Sequence, residues 1–465
     1  MNRIIGCLIL LLAGTPVLPE KVLAQDTVRV SFGQFVDMAH NYSANLDAQQ
    51  KNVRLAENRL NQAQAGRILP NLNLTTAHGL VPGVYSPNNY NPSQFYLDPQ
   101  LENDWENWGI FTQAEISGIQ PVFTWGGIRN AINAARKGAD AAQYQFDSQK
   151  ESFTFQLFEL YQSAILAKEL QRLMNDALSQ LEQAERELER LREDGDESLE
   201  EKDVFEFNIF KAEFQAYRTE VEQTVNFVQR SWNQVLATDR STVYLPEERY
   251  LDPVPVQIQQ LEFYEEHALQ NRAELKGIAA AEEAANYGLN AARSRYYPNL
   301  VIGVSAGAGY TPNRPRQTNP FIRNRTNFLS ASIGFGFRQN LNFWQVNSEV
   351  QRSEIQLRQT RDYRDAAEEG ILFELGDQYR EARITESRRQ SKANALRISN
   401  EWLRTEQIDF DIGFGDINNL VDAVKKKMEL EMEVTELTFD LNMKVAQLHR
   451  SAGLPLHELL PGNSD

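Results

Sequence analysis

The chain has almost no cysteine, since Cys7 is the single one among its 465 residues. Cys7 lies in an N-terminal stretch with the pattern of a secretory signal: Arg3, a short apolar run, and a small-residue cleavage position ending at Ala24. The apolar run is too short to cross a bilayer as a helix. Residues 1–24 are therefore predicted to be a signal peptide, and the mature chain would have neither disulfides nor thiolate metal ligands.

Histidine and positive charge are also scarce. The five histidines show no metal-ligand spacing; they are His40, His78, His267, His449 and His457. The formal net charge is −17, whereas nucleic acids and anionic lipids attract Lys/Arg-rich surfaces. The composition therefore favours a protein with no bound metal, no cofactor and no nucleic-acid partner.

Proline is missing from two long stretches, residues 125–192 and 344–412. A helix over about 68 residues would be roughly 100 Å long. Apolar residues alternate at steps of three and four, which is coiled-coil spacing. In the first half they are Met174, Ala177, Leu181, Ala184, Leu188 and Leu191, then Phe207, Phe210, Phe214 and Val221; in the second half they are Leu420, Ala423, Leu430, Val434, Leu437, Leu441 and Leu448. Each half is predicted to be a long helical hairpin that turns at a glycine-bearing tip.

The same order of elements occurs twice. A helix ends at Leu69-Pro70-Asn71-Leu72 and again at Tyr297-Pro298-Asn299-Leu300, and each time two strands and a long hairpin follow. Shorter helices, predicted over Phe32–Gly66 and Ile258–Ala292, precede the strand pairs. Such an internal repeat predicts one elongated, duplicated body rather than separate domains.

The predicted strands alternate apolar residues with small or polar ones. In β-strand geometry Leu329, Ile333 and Phe335 share one face, while Ser330 and Gly334 share the other. Alternation over about ten residues is what a lipid-facing barrel strand requires. Four such strands are too few to close a barrel, and an open edge is not stable in lipid. Three chains are therefore predicted to contribute to one barrel.

These patterns predict a signal peptide at 1–24, two repeats joined by a linker at 246–256, and a C-terminal tail at 454–465. The first repeat, 25–245, would have strands at about 69–80 and 108–122 and a helical hairpin at 124–237 that turns near 195. The second repeat, 257–453, would have strands at about 299–310 and 326–338 and a helical hairpin at 344–452 that turns near 413.

Three alternatives remain open on the residues alone. Alternating strands also occur in a soluble β-sandwich. A periplasmic coiled-coil adaptor also contains a helical hairpin, but one per chain and without lipid-facing strands. Gly303-Val304-Ser305-Ala306-Gly307 matches the nucleophile motif of α/β-hydrolases. That motif needs a turn into a helix directly after the serine, and here the strand alternation continues to Tyr310.

The ordered set of motifs resembles the TolC-type outer membrane efflux family, also called outer membrane factors. The motifs are the duplication, the two Pro-Asn-Leu segments, Gln120-Pro121-Val122-Phe123-Thr124-Trp125-Gly126-Gly127, and Gly413-Phe414-Gly415-Asp416-Ile417-Asn418-Asn419-Leu420-Val421-Asp422-Ala423. The resemblance implies a mainly α-helical fold with a transmembrane β part: a homotrimer whose twelve-stranded barrel continues into a twelve-helix periplasmic tunnel.

The resemblance also implies a function and partners. It implies a non-enzymatic channel in the outer membrane of a Gram-negative bacterium, with a long periplasmic extension. The channel would be the passive exit duct of a tripartite efflux or secretion system, supplied by an inner-membrane pump through a periplasmic adaptor. The sequence indicates neither the cargo nor the energy source of the pump.

Candidate site residues are carried over from the family by position. The pore constriction after the second tip would include Asp422 and Asn419; the latter departs from an acidic pattern, so nearby carboxylates are added as candidates, namely Asp409, Asp411 and Asp416. Three copies of an aspartate around an axis favour cations. The adaptor-contact candidates at the two tips are Gly195, Ser198, Gly413 and Gly415.

Overall fold

The computed structural model of the chain describes residues 26–68, 70–85, 102–194, 201–238, 242–314, 325–412 and 415–460. The predicted signal peptide lies outside these ranges. The α-helices are α1 (Phe32–Tyr42), α2 (Ala44–Ile68), α3 (Gly127–Asp194), α4 (Glu201–Val235), α5 (Leu261–Asn271), α6 (Ala273–Arg293), α7 (Phe343–Asp411) and α8 (Ile417–Ser451). None of the helices in these ranges is apolar over a sufficient length to cross a membrane.

Each predicted short helix is in fact two helices. The first is broken at Ser43 and the second at Arg272, both of which have extended backbone angles. The Ser43 hydroxyl accepts a hydrogen bond from the Leu46 N–H at 3.3 Å, so it caps the start of α2. Arg272 instead forms ion pairs with Glu274 and Glu374, at 2.7 and 3.3 Å. The prediction of two unbroken helices was wrong because their apolar spacing continues across both breaks.

Four antiparallel strands form one sheet in the order β2-β3-β5-β6. They are β2 (Asn71–Tyr85), β3 (Glu102–Phe123), β5 (Asn299–Tyr310) and β6 (Phe328–Arg338). Both repeats therefore contribute two neighbouring strands, and β3 pairs with β5 where the repeats meet. The predicted strand at 108–122 is too short, since β3 begins at Glu102. The outer strands β2 and β6 leave two open edges on the single chain.

One face of this sheet is apolar and exposed. Cross-strand partners point to the same side of an antiparallel sheet, and the register joins Leu74 to Ile116, Ile116 to Ala306, and Ala306 to Ala331. The large side chains on this face are Leu72, Leu74, Leu80, Ile110, Ile116, Ile302, Leu329, Ile333, Phe335 and Phe337. The exposed fraction reaches 84% for Phe335. The opposite face carries mainly glycine, serine, threonine and asparagine.

The helices form two long hairpins packed side by side. Helix α3 packs on α2 and α6 and also on α4 and α8, while α7 packs on α6 and α8. The contacts thus give the row α4–α3–α8–α7, and towards the second tip α8 also contacts α4, where Lys425 lies over the Phe210 ring. The predicted seam residues Met174, Leu181 and Leu188 are buried against Phe210 and Phe214 of the returning helix. With 68 residues, α3 is about 100 Å long.

A second small sheet was not predicted. Strand β1 (Asp26–Val30) pairs in parallel with β4 (Thr242–Pro246). It borders the largest buried cluster, in which Trp232 stacks on Phe35 at 4.3 Å and lies 5.5 Å from Tyr161. These five-residue strands were missed because they are too short to show a period.

The predicted linker and tail are also part of this core. The side chain of Asn442 on α8 is buried; it accepts from the Val254 N–H and donates to the Asp252 carbonyl, both at 2.9 Å. In the segment after α8, Leu456 and Leu459 are buried in the same cluster. Residues 456–459 are therefore a packed 3₁₀ turn rather than a loose tail.

The passage from strand to helix is sharp. At the end of β3, Trp125 and Gly126 have positive φ angles of 53° and 81°. A tryptophan rarely adopts this backbone conformation, and here its indole N–H donates to the Pro298 carbonyl at 2.9 Å. The Trp-Gly-Gly motif of the first repeat is thus held against the Tyr-Pro-Asn motif of the second.

Candidate pore constriction and hairpin tips

The second hairpin tip is closed by a glycine packed on the backbone of α7. The Gly415 N–H donates to the Asp409 carbonyl at 2.8 Å. A Cβ atom at Gly415 would lie 2.5 Å from the Phe410 nitrogen and 2.7 Å from its Cα. Only glycine fits this position without a backbone shift, so Gly415 has a structural role in the turn. The other predicted tip residue, Gly413, lies outside the described residues.

The candidate carboxylates at this tip are in different environments. Asp416 is the N-cap of α8, where its side chain accepts from the Asn418 N–H at 2.9 Å. Asn419 and Asp422, three residues apart, are exposed on one side of α8, while Asp409 is half-buried near the end of α7. Asp411 is the last residue of α7, and its side chain is not described. Asn419 and Asp422 therefore have exposed side chains, whereas the exposed Asp416 side chain is used to cap α8.

Asp422 also lines a cleft between α4 and α8. The cleft has a volume of about 290 Å³, and its lining includes Phe207, Phe210, Glu213, Val421, Asp422 and Lys425. The Lys425 ammonium lies 5.6 Å from the centre of the Phe210 ring, a cation–π distance. Asp422 thus has both an aromatic surface and a positive charge of its own chain nearby.

Farther from the tip, carboxylates crowd where α8 faces α4. Burial raises the pKa of Glu436, and repulsion from Asp440, Glu433 and Glu220 raises it further. Glu433 is paired with Lys392 of α7 at 2.5 Å. This region is negatively charged, and Lys392 of α7 neutralises part of that charge.

The first tip lies between Asp194, where α3 ends, and Glu201, where α4 begins. The predicted adaptor-contact residues Gly195 and Ser198 fall between these helices and outside the described residues.

The hydrolase motif has no catalytic geometry. Ser305 lies in the middle of β5, paired with Ser117 and Ser332, and its Oγ is 2.8 Å from that of Ser332. The strand continues past the motif to Tyr310, so the turn that exposes a nucleophile does not occur here. Within the described ranges no group of three His, Cys, Asp or Glu side chains could hold a metal ion.

Comparison with known proteins bears directly on this architecture. Residues 266–454 match the family model described as outer membrane efflux protein. This part of the chain is therefore similar to the outer membrane efflux protein family. The match covers most of the second repeat, which includes β5, β6, both long helices and the candidate constriction. No curated protein sequence matches the chain significantly.

Solved structures of bacterial outer membrane proteins are similar in fold to most of this chain. The outer membrane protein VceC from Vibrio cholerae superimposes with a TM-score of 0.69 at 15% identity, over 91% of this chain and 96% of that one. The MtrE outer membrane channel of Neisseria gonorrhoeae, in its open state, gives 0.70 at 14% identity, over 91% and 89%. The CmeC outer membrane channel of Campylobacter jejuni gives 0.68 at 12% identity, over 91% and 85%.

These findings confirm the resemblance drawn from the sequence and the TolC-type fold of the chain. The family consists of outer membrane efflux channels rather than enzymes, which confirms the predicted protein class and its outer membrane localisation. At this level of identity the structural likeness concerns the fold.

Proposed function

We propose that three copies of this chain form a continuous channel that is the passive exit duct of a tripartite efflux system. The observation that carries the proposal is the four-stranded sheet with one exposed apolar face and two open edges. In lipid an unpaired strand edge costs several kcal/mol for each unsatisfied backbone group. Pairing β6 of one copy with β2 of the next removes every edge and closes a twelve-stranded barrel.

The helices also support an assembly of three copies. The row α4–α3–α8–α7 has α4 at one end and α7 at the other. On α4, Phe205, Ile209 and Phe227 are exposed within about 40° of one another around the helix axis. On α7, Ile398 and Trp402 are exposed on one side, and Phe373 lies on that side seven turns away. Two unpartnered apolar stripes at opposite ends of the row fit a head-to-tail contact that closes with three copies.

The tips would meet the other components. In this proposal both hairpin tips contact a periplasmic adaptor, which connects the channel to an inner-membrane pump. Asn419 and Asp422 would converge from three copies at the periplasmic end and form an acidic, cation-selective constriction. Lipid would contact the apolar face of the barrel. The cargo and the energy source of the pump stay open.

Cell fractionation tests this assignment against a periplasmic adaptor. We expect the protein in the outer membrane, as a trimer that becomes monomeric on an SDS gel only after heating. The adaptor alternative predicts an inner-membrane or soluble protein without heat-modifiable mobility. It already fits the fold poorly, because the chain has two hairpins and four strands with an exposed apolar face.

A further inference from the structure

The segment that leaves β5 turns back over the sheet instead of extending the strand. The Asn327 side chain holds this turn: it accepts from the Thr311 N–H at 2.7 Å and donates to the carbonyls of Thr311 and Arg314, at 3.0 and 2.9 Å. The Thr311 hydroxyl donates to the Thr326 carbonyl at 2.9 Å. Thr311 and Asn327 are both buried, with exposed fractions of 2% and 7%. Residues 311–314 are thus fixed at the end of the sheet.

The same segment is bonded to the two strands on the other side. The Asn313 amide donates to the Asn107 carbonyl at 2.9 Å. The Arg314 guanidinium donates twice to the Pro82 carbonyl, through Nε at 3.1 Å and Nη2 at 2.9 Å. These bonds carry the segment from β5 across β3 to β2, a distance of about 10 Å.

Two glycines identify the face on which the segment lies. A Cβ atom at Gly109 would overlap the Asn313 carboxamide, and one at Gly83 would approach it to 3.3 Å. Gly109 is two residues from Phe111 and pairs with Val81, so it belongs to the face opposite Ile110 and Leu80. The Asn313 side chain therefore packs on the non-apolar face, which is the interior of the proposed barrel.

Two aromatic interior side chains lie directly below this segment. The ring of Phe111 covers Gly79, and the ring of Phe328 covers Gly307 and Gly309. Closer to the helices the same face of β6 carries Ser332, Gly334 and Gly336, with Arg338 at the end of the strand. The segment and the two rings thus occupy the interior at the end of the strands that is remote from the helices.

We propose that residues 311–314 form a second constriction, at the outer mouth of the barrel, in which three copies of Asn313 limit its width and three copies of Arg314 disfavour cations. This proposal rests on the channel proposed above. The segment would restrict what enters from outside.

The test is polymer exclusion in planar bilayers, with polyethylene glycols of graded size added to one side of reconstituted full-length channels. We expect Asn313→Gly to shift the exclusion limit so that larger polymers enter from the outer side. The matched control is Asn73→Gly, an exposed asparagine on the same interior face near the helical end of β2. It should leave exclusion from the outer side unchanged.

A second variant tests the charge of Arg314 separately from the width that Asn313 limits. Arg314→Gln should increase the permeability of cations relative to anions at low salt, whereas Arg338→Gln, on the same face at the other end of β6, should not. Channels whose exclusion limit and ion preference match wild type in both mouth variants would overturn the outer constriction alone. A wild-type protein that forms no channels would overturn the transport proposal as well.

Discussion

At the residue scale, the glycines of this chain fall into two groups. Those at turns and close contacts, such as Gly415 and Gly109, are positions where a Cβ atom would overlap neighbouring atoms. Those inside the long helices, such as Gly376 of α7, have open space for 4 Å around the position that a Cβ atom would take. The two groups should therefore respond oppositely to alanine.

We expect Gly415→Ala to destabilise the second tip by about 1–3 kcal/mol, because the new Cβ would collide with the Phe410 backbone. Hydrogen exchange at the ends of α7 and α8 should become faster. The control Gly376→Ala should leave this exchange unchanged or slow it slightly, since alanine favours the helix. Slow exchange in both variants would show that the tip tolerates the side chain. For the same reason a crosslinking cysteine belongs at exposed Ile412 rather than at Gly415.

Asp422 is the pore candidate with the clearest test. If three copies of Asp422 line the constriction, Asp422→Ala should weaken block by multivalent cations by about tenfold or more. Single-channel recording measures this directly. Glu222→Ala removes an exposed carboxylate from α4 and should have no such effect. Unchanged block and conductance in Asp422→Ala would remove this residue from the constriction.

His449 should make the folded protein sensitive to mild acid. Its side chain is buried beside Tyr264, with ring centroids 6.0 Å apart. Burial lowers the pKa of His449 below 6.5, although the carboxylate of Glu458 acts in the opposite direction. An unfolded chain then binds more protons than the folded one as the pH falls below about 6.5, so folding stability decreases.

The expected result is a lower apparent Tm at about pH 6 than at about pH 7.5, with a slope of at most about 1.4 kcal/mol per pH unit from this residue. His449→Gln should reduce the slope. Part of it should remain, because burial also lowers the pKa of His40. His457→Gln is the matched control, since His457 is exposed. A slope that is the same in all three proteins at one scan rate would contradict this role of His449.

At the element scale, periodicity predicted the long strands and helices, but it missed the helix breaks and the short strands. The strands around Ile302 and Ile333 and the seam around Leu181 follow from periods of two and 3.5 residues sustained over many residues. The breaks at Ser43 and Arg272 do not interrupt the apolar spacing, so they left no such signal. Strand β1 is too short to have a period; it is defined by pairing with a segment more than 200 residues away.

The candidate site was predictable in position but only partly in role. The family pattern pointed to Asn419 and Asp422, and Asp416 was added as a nearby carboxylate with no separate role. The structure separates them, because capping α8 uses the Asp416 side chain. The segment 311–314 follows the last residue of the predicted strand and has no periodic pattern of its own. Its contacts with Gly83 and Gly109 depend on strand register, which the sequence of a single loop does not contain.

The stripe on α4 gives a test at this scale. Phe227 is 68% exposed on the single chain. Burying it against a neighbouring α7 would contribute about 2 kcal/mol per copy. Phe227→Lys should therefore lower the temperature at which the trimer separates on an SDS gel, while Asn226→Lys, its exposed neighbour in the sequence, should change it less. Equal effects of the two variants would place the contact between copies elsewhere.

At the scale of the whole molecule, the helices bury most of their apolar residues, whereas the sheet exposes one apolar face. Apolar residues are buried along the seam of the first hairpin, and the residues around Trp232 form a buried hydrophobic cluster. The sheet has an exposed apolar face, and among the described residues none pairs with the outer sides of β2 and β6. In the proposed channel, a membrane would cover the apolar face and neighbouring copies would pair with the two edges.

Amide hydrogen exchange of the detergent-solubilised protein, combined with its native mass, tests the closure of the barrel most directly. We predict a mass of three chains and protected amides along both β2 and β6, because each edge strand would be bonded to its neighbour in the next copy. A protein with the mass of one chain, or a trimer in which the outward amides of β2 and β6 exchange as fast as those of an open edge, would contradict the closed barrel and the channel with it.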